Sequence, residues 1–393
     1  MAVAEAGFGS EKVAWYNNPQ TRALAIQAVV VVVVIAVLGW FINNTVTNLR
    51  ERGIASGFGF LAQRSNFDIS TLLPTNSDTT YGYALLAGLL DTIVVSILAI
   101  VIASVLGLIV GISRLSRNWL IRTIATIYVE LFRNIPPLLV ILFWYLAVIA
   151  ALPAIKDAIQ LGPDLLLSNR GLFMPRPVPG ELFGWTFGAF VIGLVAAEII
   201  RRWAHARQMR TGQPFHTVWA GLGVIVVLTL GTFLVTGAPL TFELPAKTRF
   251  NISGGWTIAP EFATMFIALG VYTASFIAEI VRSGIMAVSQ GQTEAARALG
   301  LKGGNVLRLV VLPQALRVII PPLASEYLNI VKNSSLALAI GFADLVAVGN
   351  NVLNPTGQSI EVVAIWMAFY LGLSILISVA MNLFNARIAL TER

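Results

Sequence analysis

Residues 291–313 read GQTEAARALGLKGGNVLRLVVLP, a polar interruption between two strongly apolar segments of a 393-residue chain. Thr293 has the side chain of a helix cap, and Glu294 would place a carboxylate in the first turn, where free N–H groups and the helix dipole favour it. Ala295, Ala296, Ala298 and Leu299 continue a short helix. Gly300 suits a left-handed stop, and Pro313 should prevent an unbroken helix beyond. Such a helix suits docking better than catalysis. The plainer alternative is an amphipathic helix that merely joins its neighbours.

The composition explains the apolar flanks. Hydrophobic residues make up 57% of the chain and charged residues 11%, with mean hydropathy +0.80, whereas a soluble domain carries about 25% charged residues. The chain therefore reads as a polytopic membrane protein, each span needing about 20 mostly apolar residues. The expected spans are 23–42, 84–112, 124–150, 185–200, 218–235, 262–288, 316–331 and 362–383. The first is too long for a signal peptide and ends in Trp40-Phe41, an interfacial anchor, so it is expected to be retained. Pro136-Pro137 should kink or break the third span, and Pro321-Pro322 with Lys332-Asn333-Ser334-Ser335 should interrupt the seventh. The short apolar stretch 336–348 reads as a half-helix or re-entrant piece.

The loops alternate in charge. Arg114, Arg117 and Arg122 follow the second span without an acid, and Arg201, Arg202, Arg207 and Arg210 follow the fourth in the same way. The stretch after the sixth span is basic, and Arg387 and Arg393 follow the last. The loops at 43–80 and 152–183 balance, and at 239–260 Glu243, with Glu261 just past its end, stands against Lys247 and Arg249. The positive-inside rule then places both termini and residues 291–313 in the cytoplasm. The net charge of +7 is accounted for by such loops without invoking nucleic acid, and the absence of cysteine excludes disulfides and thiolate metal sites.

Glu294-Ala295-Ala296, followed at fixed spacing by Gly300, Val310 and Leu312-Pro313, resembles the EAA loop of bacterial ABC importer permeases, with Val310 where that family usually has Ile. Residues 88–145 and 269–345 resemble more narrowly the two halves of polar amino acid uptake permeases. The resemblance implies an all-α polytopic membrane protein of about eight transmembrane helices. Its five-helix type I importer core would comprise the spans at 84–112, 124–150, 262–288, 316–331 and 362–383. One N-terminal helix and two inserted helices are added, a layout similar to the larger permease of general L-amino-acid importers of the Aap or Bzt type. The parts would be 1–83 (tail, extra helix and periplasmic loop), 84–150 (first part of the core), 151–260 (insertion) and 261–393 (second part with the coupling loop).

The implied function is the permease subunit of an ATP-driven importer of L-amino acids in the bacterial inner membrane, working by alternating access. The coupling residues would be Thr293, Glu294, Ala295, Ala296, Gly300 and Leu301. The implied partners are a second related permease chain, two ATPase subunits that bind ATP and Mg, a periplasmic solute-binding protein and the surrounding membrane lipid. No cofactor is expected in this chain, which has no GxxxxGK[ST] loop.

Ionisable groups within spans are candidates for the substrate path. Glu279 shares a helical face with Tyr272, Ser275 and Arg282, and either lines the path or pairs with Arg282. Glu130, Arg133 and Asn134 flank the double proline, where freed backbone groups and a guanidinium suit a carboxylate, or the two charged groups pair with each other. Lys332, Asn333 and Ser334 form a second polar break, with Lys332 alternatively snorkelling or pairing with Glu326. Asp91 and Thr92 are expected to open and cap the second span, and His205 and His216 do not suggest a metal site. The competing function is an ATPase-independent carrier or channel for small polar solutes. An enzyme is disfavoured because no catalytic cluster is evident.

Overall fold

The computed structural model describes residues 19–51, 53, 56–248 and 251–388. The expected N-terminal tail, Arg52 and Arg249 of the balanced loops, the Arg387 side chain and Arg393 lie outside the described residues. Helices dominate. Among the described residues, seven are long and apolar enough to cross a membrane, or eight if one bent pair counts as a span. Helices are the answer for such sequences because every backbone N–H must find a carbonyl within its own segment when no water is present.

Helix α1 spans Pro19–Glu51 and α2 spans Tyr81–Ser113. A basic turn leads to α3, Trp119–Arg133, whose start is capped by the Asn118 side chain accepting from Leu120 and Ile121. The double proline then breaks the expected third span. Helix α4, Pro137–Phe143, and a π-helical turn, Trp144–Ile149, follow at 108° to α3.

The stretch 152–183, which reads as a loop in the sequence, holds four short strands, β1 (Ile159–Gly162), β2 (Leu165–Ser168), β3 (Gly171–Met174) and β4 (Arg176–Pro179). Helices α5, Phe183–Thr211, and α6, Thr217–Val235, form a hairpin. The basic segment 201–210, expected as a loop, is the last part of α5. Its Arg, Ala, Gln and Met residues favour helix, and Glu198 ties Arg201 and Arg202 one turn on. After α6 come β5 (Leu240–Glu243), β6 (Ala246–Lys247), β7 (Ile252–Ser253) and β8 (Trp256–Ile258). Strand β3 pairs antiparallel with β8, and β4 with β5, so the segments on either side of the hairpin complete each other's sheets. Ile155, Ala158, Leu166, Phe173 and Ile252 form a small buried core beneath them.

Helix α7 spans Pro260–Met286, α8 Gln290–Ala298, α9 Gly303–Val306 and α10 Leu312–Asn333. A π-helical turn, Leu307–Val311, links α9 to α10, so Pro313 does not stop the helix as expected. It sits in the first turn of α10, where the widened π turn before it gives its ring room. Pro321 and Pro322 also stay within α10, and both are exposed. The interruption comes at Ser334, where a 3₁₀ segment, Ser334–Ile340, ends in left-handed Gly341. The expected half-helix at 336–348 is thus this segment, a turn and the beginning of α11, Leu345–Thr356, before α12, Ser359–Ile388.

The chain divides into two units. One comprises the residues up to Gly88 together with Val348–Gly372. Within it Tyr81 meets the rings of Phe60 and Phe67, the Gly57 N–H donates to Glu361 at 2.6 Å, and Gly349 lies against the Trp366 indole. The other comprises Leu89–Ala347 and the residues from Leu373 onward. Its core is built on α7, which buries 61% of its most apolar stretch. Met265, Leu269 and Ile277 of α7 pack with Val95 and Ala99 of α2, Ile141 of α4 and Ile319 of α10. Helix α2 crosses α7 closely because Gly107 has no side chain: a Cβ there would lie 2.6 Å from Ile277.

Asp91 and Thr92 do not open the second span, because α2 begins ten residues before Asp91, at Tyr81. Both are fully buried, and Thr92 Oγ1 accepts the Leu345 N–H at 3.0 Å. The cap is therefore made for α11, a helix distant in sequence, with Asp344 Oδ1 accepting from Ala347 at 2.8 Å.

Candidate functional site

Helix α8 carries the expected docking residues. Its start differs from expectation: Ser289, with extended backbone (φ −61°, ψ 143°), occupies the cap position. Thr293 lies inside the helix, and Glu294 lies beyond its first turn, which holds no acid. Gln290-Gly291-Gln292 extend the helix upstream because nothing in them forbids helical backbone once Ser289 has turned the chain. The C-terminal stop is as expected. Gly300 has φ +80°, its N–H donates to Arg297 O at 2.9 Å, and the Leu301 N–H donates to Ala296 O at 3.2 Å. These two bonds are the Schellman closure of a helix end.

Ala296 is buried, packing α8 onto the chain that leads into α10, and Val306 of α9 is buried with it. Thr293 and Leu301 are half-buried, while Glu294, Ala295 and Gly300 are exposed. Leu299 is 84% exposed. In an ideal helix it would share the buried face of Ala296, but it is the C-cap, with ψ opened to 7°, and it projects outward. The exposed surface of α8 thus offers Glu294, Arg297 and an apolar knob on a rigid, closed helix. Sequence reasoning treated Leu299 only as a helix residue. The signal that identifies it is its place directly before Gly300.

A second constellation lies where α2, α3 and α7 meet. Glu279 is held by Arg282, whose Nη2 lies 2.6 Å from Oε1, and by a close ion pair with Arg114 just beyond α2. Arg133 Nη1 stands 3.9 Å from the same carboxylate, with its guanidinium 5.7 Å from the centre of the Phe276 ring. Arg114 also reaches Glu130, at 3.8 Å. The structure therefore brings Glu279, Glu130 and Arg133, expected at two separate places, into one cluster of three arginines and two glutamates. Arg114 is its most enclosed member, with 11% of its side chain exposed. In the sequence it is only a loop charge, and no local pattern distinguishes it from Arg117 or Arg122.

The remaining candidates are placed as follows. Asn134 ends α3 and donates to Glu130 O at 2.6 Å. Tyr272 is half-buried against Phe276, their ring centres 5.2 Å apart. Ser275 is fully buried and donates to Tyr272 O at 2.7 Å. Ser334 is likewise buried and donates to Val331 O at 2.7 Å, so both hydroxyl protons stay within their own segments. Lys332 is exposed and Asn333 half-buried. An apolar cleft of about 890 Å³ opens between α2, α7 and α10, with Ser104 and Tyr327 hydrogen-bonded on its wall at 2.9 Å.

Residues 103–390 match the family described as binding-protein-dependent transport system inner membrane component. The chain is 53% identical to the general L-amino acid transport system permease protein AapQ of Rhizobium johnstonii, over 96% of this chain and 94% of that one. It is 40% identical to the glutamate/glutamine/aspartate/asparagine transport system permease protein BztB of Rhodobacter capsulatus, over 95% of each. The glutamate/aspartate import permease protein GltJ of Escherichia coli is 27% identical over 80% of this chain and 90% of its own length.

Proposed function

The chain belongs to the family of binding-protein-dependent transport system inner membrane components, and from that premise we propose how it works as the permease subunit of an amino-acid ABC importer. It is a multi-pass inner-membrane protein. The reading that it takes up L-amino acids of several kinds is supported by the names of its relatives.

The observation that carries the mechanism is α8: a short, closed helix between two core spans, anchored by Ala296 and presenting Glu294 and Leu299 outward. A rigid helix joined directly to α7, and through α9 and the π turn to α10, transmits a push to both spans. Separate ATPase subunits would seat α8 and close on ATP, and the displacement would tilt α7 and α10 so that the path opens to alternate sides. A related permease chain completes that path, a solute-binding protein delivers the amino acid at the outer face, and α8 lies on the cytoplasmic side, as the loop charges suggest. Along the path, Arg133 is the arginine least closely bound to Glu279 and the one best able to meet a substrate carboxylate. Glu130, also exposed, is suited to the ammonium.

Uptake of labelled L-amino acids by cells expressing the importer with Glu294→Ala tests the proposal. The variant should accumulate and fold as the parent does, while transport falls about tenfold through lost coupling. Unchanged uptake would refute the coupling role of α8.

A further inference from the structure

The inserted hairpin has no part in the mechanism above, yet it carries the most concentrated charge in the chain. Between residues 198 and 210, Arg201, Arg202, Arg207 and Arg210 face a single acid, Glu198. The structure places Arg201, Arg202, His205 and Gln208 along one end of a groove of about 690 Å³ between α5 and α6. The other end is walled by Leu194, Leu222 and Ile225. The polar end coincides with the start of α6, since Thr217 and Val218 line the same groove. The Thr217 N–H donates to Phe215 O at 2.7 Å, but His216 makes no side-chain cap for α6, so the helix start adds positive potential to that of the arginines.

Aromatic side chains mark the depth of this end. Trp203 and Trp219 are largely exposed, Trp203 lies edge-on to Phe215 at 5.4 Å, and Arg207 sits 5.6 Å over the Trp203 ring. Exposed tryptophans beside arginines are the side chains of a headgroup layer, amphipathic at the level where hydrocarbon meets water. The basic end of the groove is therefore at the membrane surface, and its apolar end runs into the hydrocarbon.

We propose that this groove binds an anionic phospholipid, its phosphate held by Arg201, Arg202 and the start of α6, and its acyl chains lying along Leu194, Leu222 and Ile225. The charge complementarity selects the headgroup, and the apolar wall selects a diacyl lipid over a soluble phosphate. Glu198 tempers the site. It holds Arg201 at 2.6 and 2.8 Å and Arg202 at 2.9 Å, so a lipid phosphate must share both guanidinium groups with a carboxylate.

The test is native mass spectrometry of the delipidated full-length chain in detergent, titrated with phosphatidylglycerol or with phosphatidylcholine of the same acyl chains. Phosphatidylglycerol should bind about tenfold more tightly. Arg201→Gln with Arg202→Gln should abolish that preference, and Arg201→Lys with Arg202→Lys should retain most of it. Glu198→Gln should strengthen phosphatidylglycerol binding by about threefold, a gain that misfolding does not produce. Equal binding of the two lipids, or a preference untouched by the double glutamine variant, would overturn the proposal. Displacement of the lipid by a modest excess of inorganic phosphate would overturn the lipid assignment and leave a free-anion site. Failure of α8 coupling would leave all these outcomes unchanged, because the hairpin and α8 share no residue.

Discussion

Glu279 is the residue on which the ion-pair cluster depends, and its partners differ in burial. Arg114 has 11% of its side chain exposed, Arg282 30% and Arg133 39%. A charge that loses its partner costs more the less water can replace that partner. Arg114→Gln should therefore destabilise the chain by about 2–3 kcal/mol and Arg282→Gln by about 1 kcal/mol. Thermal unfolding in detergent, followed by loss of the monodisperse peak, would show this ranking, and the reverse order would mean that the Arg282 pair dominates. Arg133→Gln should leave the melting temperature nearly unchanged while reducing uptake, because it is the most exposed and least closely paired of the three. The presence of Glu279 in a span identified it from the sequence as a residue needing a partner. Which arginine encloses it was not legible, since Arg114 lies 165 residues away and resembles its loop neighbours.

At the scale of elements, α8 and the α2–α7 crossing are the two features whose side chains give the sharpest tests. Leu299 extends from the end of α8 with 84% of its surface exposed, the geometry of an apolar anchor for a groove. Leu299→Asp should leave the chain folded and lower its co-purification with the ATPase subunits by about tenfold. Retention equal to that of the parent would place the docking contact elsewhere on α8. At the crossing, Gly107→Leu would drive side-chain atoms into Ile277, already 2.6 Å from the position of a Cβ. A loss of about 1–3 kcal/mol is expected, read as a lower melting temperature. The π turn before α10 and the break after α3 show how prolines act in two ways. Pro136-Pro137 gives a 108° bend because the chain leaves helical geometry between Arg133 and Pro137. Pro313 gives no stop because it begins a helix whose preceding turn is already widened.

For the whole molecule, residues 152–259 form a helical hairpin flanked by small sheets with a buried core of their own. Phe173 is a buried member of that core, and Phe173→Ser should expose the β segments to limited proteolysis while sparing the α7 region. Cleavage confined to 152–182 and 236–259 would bear this out, whereas unchanged protection would show that the sheets hold without that core. The sequence by itself determined the membrane class, the positions of the apolar helices though not the far ends of α1 and α5, the break at the double proline, the Gly300 stop and the family. Each of these is written in local hydropathy, in residues that restrict the backbone, or in short fixed spacings. The tertiary structure decided the rest: the pairing of β3 with β8, the enclosure of Glu279 by Arg114, and the burial of Thr92 as a cap for α11. Strand partners and ion pairs join positions far apart in the chain. Their energies depend on which surfaces meet and how much water is excluded there, and a one-dimensional pattern does not contain that information.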